Sequence, residues 1–313
     1  MILKSQYVDA LYESLTKSNL FSGSKSLLAG MTTNSFRFQV DQRISSEGIF
    51  VYNWSSEHWL SCDFLGIYNR VGCWYADQPL FPHYRDYMCQ LILDSLEKGY
   101  YPVIWNGEFV SVVAYDKLSQ TFICKWHEDK IYIKKNDFGL KGYPYWFVQF
   151  FGKRLEMVSS DIYKESLVQA TYKWESHESI LPYNEYGCGK RAYDFLANAF
   201  INKDYDFEGA AEVLFWLSRI KKEILQYLIE LQVDWNELQN IVKLYEQITN
   251  ILNGATKNYI VNVDKTVLIP EDNASEMAGM MMGIKELEQT AMDEMKMILR
   301  EVFHYRNDQI GLR

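Results

Sequence analysis

The sequence predicts an α+β fold in which a mixed N-terminal half is followed by a helical C-terminal half. Between residues 101 and 151, short apolar runs alternate with turn residues in the manner of antiparallel strands, and helical repeats precede them. From about residue 185 onward only helical periodicity remains. Helices and an antiparallel sheet in separate stretches of the chain are typical of the α+β class.

Three helices are predicted in the N-terminal half. Apolar residues recur every three or four positions in residues 5–18, which indicates an amphipathic first helix. The segment SSEHWLSCDFLGIYNRVG (55–72) predicts a second helix that ends at Gly66 or Gly72. The segment HYRDYMCQLILDSLEKG (83–99) predicts a third, with an apolar stripe along one side.

Five strands are predicted after these helices. Their segments are YYPVIWN (100–106), FVSVVAYD (109–116), QTFICKW (120–126), KIYIKK (130–135) and YWFVQFFGKRLEMV (145–158). The short KLS connection joins the second and third of these strands, so we expect a hairpin there.

The C-terminal half is predicted to be a helical module. Helical periodicity covers about 187–202, 208–232, 235–253 and 274–304. A segment of β-propensity, NYIVNVDKTVLIP (258–270), separates the last two helices. Short connections between such helices favour an antiparallel packing.

The change of character predicts two domains. We expect an α+β domain at 1–165 and a helical domain at 185–313, which packs on the first and covers its cleft. The polar, irregular stretch between them is the expected boundary.

Composition and charge exclude several classes of protein. The formal net charge of −9 and the pI near 5.2 argue against nucleic acid as a partner, because its backbone requires clustered Lys and Arg. No signal peptide and no run long enough for a membrane span is visible. Five cysteines without a CxxC pair favour free thiols in a reducing cytoplasm, so we expect a cytoplasmic location and no membrane partner.

The stretch GEFVSVVAYD (107–116) is similar to the histidine strand of papain-like cysteine enzymes. Such a site needs a cysteine thiolate that opens an early helix, a histidine base on a facing strand, and an Asn or Asp that orients the histidine. In this chain the corresponding positions are Gln6, Glu108 and either Asn136 or Asp137. The Asn136 and Asp137 pair also reads as a turn before Gly139.

Further motifs resemble one family. They are LLAGMTTNSFRF (27–38), EKGYYPVIWN (97–106) with the strand that follows, and GCGKRAYDFLANAF (187–200) with the helix AAEVLFWLSRIKKEILQYL (210–228). Together they resemble the butirosin biosynthesis protein H N-terminal-like family. The resemblance implies a papain-like fold, a helical extension, and acyl transfer to or from carrier-bound substrates in natural-product pathways. It also implies that the nucleophile position is Gln6.

Two positions depart from the papain-like pattern, since Gln6 replaces the cysteine and Glu108 replaces the histidine. These departures separate the possible functions. A neutral carboxamide at Gln6 is not a nucleophile, so the Cys–His mechanism is not expected. The leading hypothesis is a degenerate papain-like protein of a natural-product or peptide biosynthetic pathway, which binds an acyl or peptidyl substrate or a partner. The alternative is an acyltransferase or amide-forming enzyme that uses a carrier-bound thioester, with Glu108 as general base. Whether the chain is an enzyme stays open. A third hypothesis, a hydrolase with Cys188 or Cys62 as nucleophile, is the weakest.

The remaining candidates concern the ligand site. Trp59, Trp105 and Tyr115 are predicted to line an apolar cleft and to bind substrate, although core packing is the simpler interpretation. His58 and Cys62, four residues apart, are expected to form a packed helix face, because no third ligand stands at metal spacing. Cys188 lies between two glycines and is expected in an exposed loop. No cofactor and no metal are predicted, and a homodimer is left open.

Overall fold

The computed structural model describes residues 6–126, 129–140, 145–263 and 266–310. The helices are α1 (Tyr7–Lys17), α2 (Lys25–Met31), α3 (Trp54–Asp63), α4 (Phe81–Glu97), α5 (Ser159–Glu175), α6 (Lys190–Asn202), α7 (Phe207–Gln232), α8 (Gln239–Asn258) and α9 (Ala274–Ile310). The strands are β1 (Gln39–Asp41), β2 (Ile67–Tyr75), β3 (Val103–Trp105), β4 (Phe109–Asp116), β5 (Thr121–Trp126), β6 (Asp129–Lys134), β7 (Tyr145–Arg154), β8 (Tyr186–Cys188), β9 (Val261–Val263) and β10 (Thr266–Leu268). Helices and antiparallel sheets together confirm the predicted α+β class.

The described chain divides into two compact units. The sheet unit consists of residues 6–28 and 54–158, and the helical unit of residues 29–53 and 159–310. The predicted domains differ from this division in two respects: they placed 29–53 with the sheet, and they set the boundary at 165–185, whereas the helical unit begins at Ser159. The segment 29–53 joins the helical unit because β1 pairs antiparallel with β8.

A six-stranded antiparallel sheet forms the centre of the sheet unit within the described residues, in the order β2-β7-β3-β4-β5-β6. Successive residues of a strand point to opposite faces. Along β4, Phe109 contacts the ring of Tyr7 in α1, whereas Val110 and Val112 pack in one core with Met88 of α4. The sheet is therefore covered by α1 on one face and by α4 on the other.

The second predicted helix is shorter than expected. It ends at Asp63, and Gly66, at a φ of +68°, turns the chain into strand β2. Of the two predicted helix ends, Gly66 agrees with the structure, and Gly72, which would place residues 67–72 in the helix, is wrong. Pairing with β7, in continuous register from Asn69 to Tyr75, makes this segment a strand. No local signal in the sequence carries that pairing.

The helical unit is built around α6, α7, α8 and α9. The predicted periodicity of α7 and α8 is confirmed, since the apolar positions of both helices are buried. In the same unit, the ring of Tyr227 lies directly over Gly30, where a Cβ atom would overlap it. Within the described residues, no helix has both the length and the apolar character needed to cross a membrane.

Candidate functional site

The predicted nucleophile position lies at the beginning of α1. Gln6 is the N-cap of this helix, and its backbone N–H donates to the Asp9 carboxylate at 3.1 Å. Tyr7, the first helical residue, is buried. A residue in the N-cap position whose backbone N–H is bonded to Asp9 belongs to the helix terminus, which is the plain structural role for this position.

The predicted base position lies next to the same helix. Glu108 is half-buried in the turn between β3 and β4, where its carbonyl accepts from the Asn106 N–H at 2.9 Å. The neighbouring Gly107 has a φ of +81°, which this tight turn requires. Gln6 precedes Tyr7 and Glu108 precedes Phe109, and the Tyr7 and Phe109 ring centroids are 5.5 Å apart. The beginnings of α1 and β4 are therefore close.

Aromatic rings fill the space at this junction. Tyr7 stacks on His58 with ring centroids 3.5 Å apart and planes within 5°. His58 also makes edge contacts with Phe109 at 5.1 Å and Phe147 at 5.0 Å. Trp105 belongs to the same cluster, with its ring 4.8 Å from that of Trp54. The arrangement is that of a packed core, which supports the simpler interpretation of Trp105.

The other predicted residues lie on the α4 side of the sheet. Asn136 and Asp137 are exposed in a single turn after β6, and the Asn136 carbonyl accepts from Arg85 Nη1 at 2.7 Å. Tyr115 packs on Phe122, at 4.8 Å between ring centroids, in the core beneath α4. In the described parts of the chain, no group of three or more His, Cys, Asp and Glu side chains is placed to hold a metal ion.

A buried polar network holds α1 and α3 on the sheet. The Tyr7 hydroxyl donates to Gln149 Oε1 at 2.7 Å. Gln149 Nε2 lies 2.9 Å from the His58 carbonyl and 3.0 Å from Asn69 Oδ1, and it donates to both. Asn69 Nδ2 in turn donates to the Trp59 carbonyl at 3.2 Å. The three bonds of Gln149 are buried and the Asn69–Trp59 bond is partly buried, so the network fixes the position of α3 against β2.

A groove lies beside this network, between α3 and the outer edge of β2. It is an open depression of about 400 Å³ lined by Ser55, Ser56, Trp59, Tyr68, Asn69, Arg70 and Val71. Trp59 is 45 % exposed and Tyr68 70 % exposed, so both rings are available to a ligand. Arg70 is exposed and makes no ion pair with the described residues. Of the three predicted substrate-binding aromatics, the groove includes Trp59.

The thiols are poor candidates for a nucleophile. His58 and Cys62 form the packed helix face that was predicted, and burial raises the pKa of Cys62 to about 12. The expected exposure of Cys188 is wrong. It lies in β8, paired with Gln39, where it is buried, and burial raises the pKa of its thiol. A raised pKa keeps a thiol protonated and unreactive at neutral pH.

Alkylation of the native protein at pH 8 is expected to modify Cys73 first and to leave Cys62 and Cys188 intact. Desolvation also raises the pKa of Cys73, to about 11, so the expected order rests on its exposed side chain, whereas Cys62 and Cys188 are buried. With a pKa of about 12, Cys62 is a thiolate in only about one molecule in ten thousand at that pH. Peptide mapping by mass spectrometry checks the order of modification, and the same reaction in urea is the control. Native modification of Cys188 ahead of Cys73 would restore the hydrolase hypothesis.

No family model matches the chain, and no curated protein matches it. The resemblance to the butirosin biosynthesis protein H N-terminal-like family therefore remains an expectation from the sequence motifs.

Apart from Trp59, sequence reasoning missed the residues that line the groove and those of the polar network beside it. Gln149 and Tyr7 are 142 positions apart, and nothing local links them. Arg70 lies in the stretch that one of the two predicted helix ends, Gly72, places in a helix. In IYNRV (67–71) the polar residues Asn69 and Arg70 are adjacent, so the sequence lacks the apolar–polar alternation of a half-buried strand.

Proposed function

We propose that this chain is a catalytically degenerate papain-like protein of a biosynthetic pathway, which binds an acyl or peptidyl group in the groove between α3 and β2. The observation that carries the proposal is the groove itself. It presents the exposed rings of Trp59 and Tyr68 beside Arg70, which makes no ion pair in the described part of the chain, and its volume of about 400 Å³ falls within the usual range for ligand sites.

The lack of Cys–His catalysis follows from two properties of the α1–β4 junction. Gln6 is a carboxamide and caps a helix, so it offers no nucleophile. The stacked rings of Tyr7 and His58, with Phe109 against both, fill the junction where a substrate carbonyl would have to lie. Binding without covalent chemistry is the function that these contacts support best.

The ligand chemistry follows from the groove. Apolar ring faces suit an acyl chain or apolar side chains, and a guanidinium suits an anionic group. A carrier-bound acyl group supplies both features, because its pantetheine arm carries a phosphate. A peptidyl group supplies both if it contains an acidic residue.

A binding and turnover assay tests the proposal, with hexanoyl-pantetheine and hexanoyl-phosphopantetheine as probes and glycinamide as acceptor. We expect a saturable rise in the thermal midpoint that Trp59→Ala removes, and no thiol release above the buffer rate. Tyr132→Ala, which removes an exposed ring from β6, is the matched control and should leave binding unchanged.

Two outcomes contradict the proposal. Thiol release that exceeds the buffer rate and disappears in Glu108→Gln would establish the acyltransferase alternative, with Glu108 as general base. Absence of binding by these probes and by the peptides described below would remove the groove as a ligand site.

A further inference from the structure

The outer edge of β2 is an unpaired strand edge. β2 is a terminal strand of the six-stranded sheet and pairs with β7 alone within the described residues. Apart from that pairing, residues 68–71 make no backbone hydrogen bond in the described part of the chain. An edge of this kind presents N–H and C=O groups at the spacing that another strand requires.

The groove exposes this edge rather than one face of the strand. Tyr68, Asn69, Arg70 and Val71 all line it, although successive side chains of a strand point to opposite faces. Four consecutive residues share one wall only if that wall is the backbone edge. Ser55, Ser56 and Trp59 of α3 form the opposite wall.

The two edges of the sheet differ in protection. The edge strand β6 carries the exposed Lys130 and Lys134, and charged lysines discourage the addition of further strands. Arg70 is the sole charged residue of β2, whose exposed side chains also include Tyr68, Trp74 and Tyr75. The β6 edge therefore carries charges that oppose the addition of a strand, whereas the β2 edge has fewer of them.

We propose that an extended peptide with an acidic side chain binds the groove by adding a strand to the outer edge of β2. This inference rests on the proposed function and names its ligand as peptidyl. Backbone hydrogen bonds to residues 68–71 supply the affinity, whereas Arg70 and the Trp59 ring select an acidic and an apolar side chain. α3 keeps the peptide in place from the opposite wall.

Charge favours a peptide over a second copy of this chain. Antiparallel pairing of two copies over residues 68–71 would bring two Arg70 side chains onto neighbouring strands, and like charges there are unfavourable. The lining contains no acidic residue to compensate. The net charge of −9 opposes an acidic peptide only weakly, because screening at physiological salt acts within about 8 Å.

Backbone methylation of a probe peptide tests strand addition. The probe is a fluorescently labelled, capped hexapeptide Val-Thr-Val-Glu-Val-Thr, whose affinity is measured by fluorescence anisotropy. In an added strand, alternate N–H groups face the edge. We therefore expect N-methylation at the second and fourth residues, or at the third and fifth, to weaken binding about tenfold or more. The other pair should change it little.

Side-chain variants test the charge preference. Arg70→Gln is expected to weaken the glutamate peptide by about threefold to tenfold and to leave a glutamine analogue unaffected. Lys130→Gln on β6 is the matched control and should change neither affinity.

Several results overturn the inference. Equal effects of the two methylation patterns exclude strand addition, and equal effects of Arg70→Gln on both peptides exclude the acidic preference. Hexanoyl-pantetheine binding without peptide binding refutes the inference but retains the proposed function, whereas failure of all probes refutes both. A concentration-dependent dimer that Tyr68→Glu abolishes in sedimentation analysis would identify a second copy as the occupant.

Discussion

Replacing Glu288 with leucine should lower the free energy of unfolding by about 3–5 kcal/mol. The Glu288 carboxylate in α9 is buried and lies 2.6 Å from Lys221 Nζ, which is buried in α7. Glu288 is the acceptor for that ammonium within the described residues, and the nearest rings, Phe38 and Tyr193, are 5.7 and 5.9 Å away. Leucine would leave a buried positive charge without an acceptor. Urea unfolding followed by circular dichroism measures the loss.

Lys221→Met is the matched comparison and should cost less. Glu288 accepts from three groups, since the Tyr193 and Tyr245 hydroxyls also donate to it at 2.6 and 2.9 Å. Those two bonds remain when Lys221 is removed, so the carboxylate keeps most of its stabilisation. The double variant should be less destabilised than the sum of the single variants. A larger loss in Lys221→Met than in Glu288→Leu would contradict this description of the cluster.

The Glu288 cluster also raises the pKa of the two tyrosines that donate to it. Burial, and then the Glu288 charge, raise the pKa of Tyr193 and Tyr245 well above the usual value. A tyrosine whose pKa is raised in the folded state lowers the free energy of unfolding once the pH exceeds the unfolded pKa, because only the unfolded state then loses the proton. The alkaline limb of stability should therefore begin near pH 10, where unfolded tyrosine loses its proton.

Replacing Gln149 with leucine should destabilise the sheet unit by about 2–4 kcal/mol, because several buried polar groups would lose their hydrogen-bond partner. The Tyr7 hydroxyl would lose its acceptor at 2.7 Å, and the His58 carbonyl and Asn69 would lose their donor. Since Asn69 holds the Trp59 carbonyl, α3 would also lose its position against β2. We expect peptide affinity for the groove to fall in parallel. Thermal unfolding and anisotropy measure the two effects.

Gln90→Leu is the control for this substitution. Gln90 is an exposed residue of α4 in the same unit, and its amide donates to Asp94 at 2.9 Å. The same chemical change at this surface position should alter stability by no more than about 0.5 kcal/mol. Similar losses in both variants would mean that the buried network contributes nothing specific.

Local patterns in the sequence were enough to predict some of the elements. The hairpin of β4 and β5 follows from two apolar runs and a short connection, and both strands lie where they were expected. Helices α7 and α8 follow from apolar positions repeated every three or four residues. Such patterns are sufficient because a helix face or a hairpin strand buries its apolar side with neighbours close in the chain.

Other features depend on partners that are distant in the sequence, and these became visible only in the folded chain. Residues 67–75 became the edge strand β2 through pairing with β7, and residues 39–41 joined the helical unit through pairing with β8. Gln149 became the centre of a network through Tyr7, and Glu288 became a buried ion through Lys221. A polar side chain is stable in a core only when a partner satisfies it, and that partner can be far away in sequence. From the sequence these residues are recognised only as polar. In the folded chain they hold distant elements together.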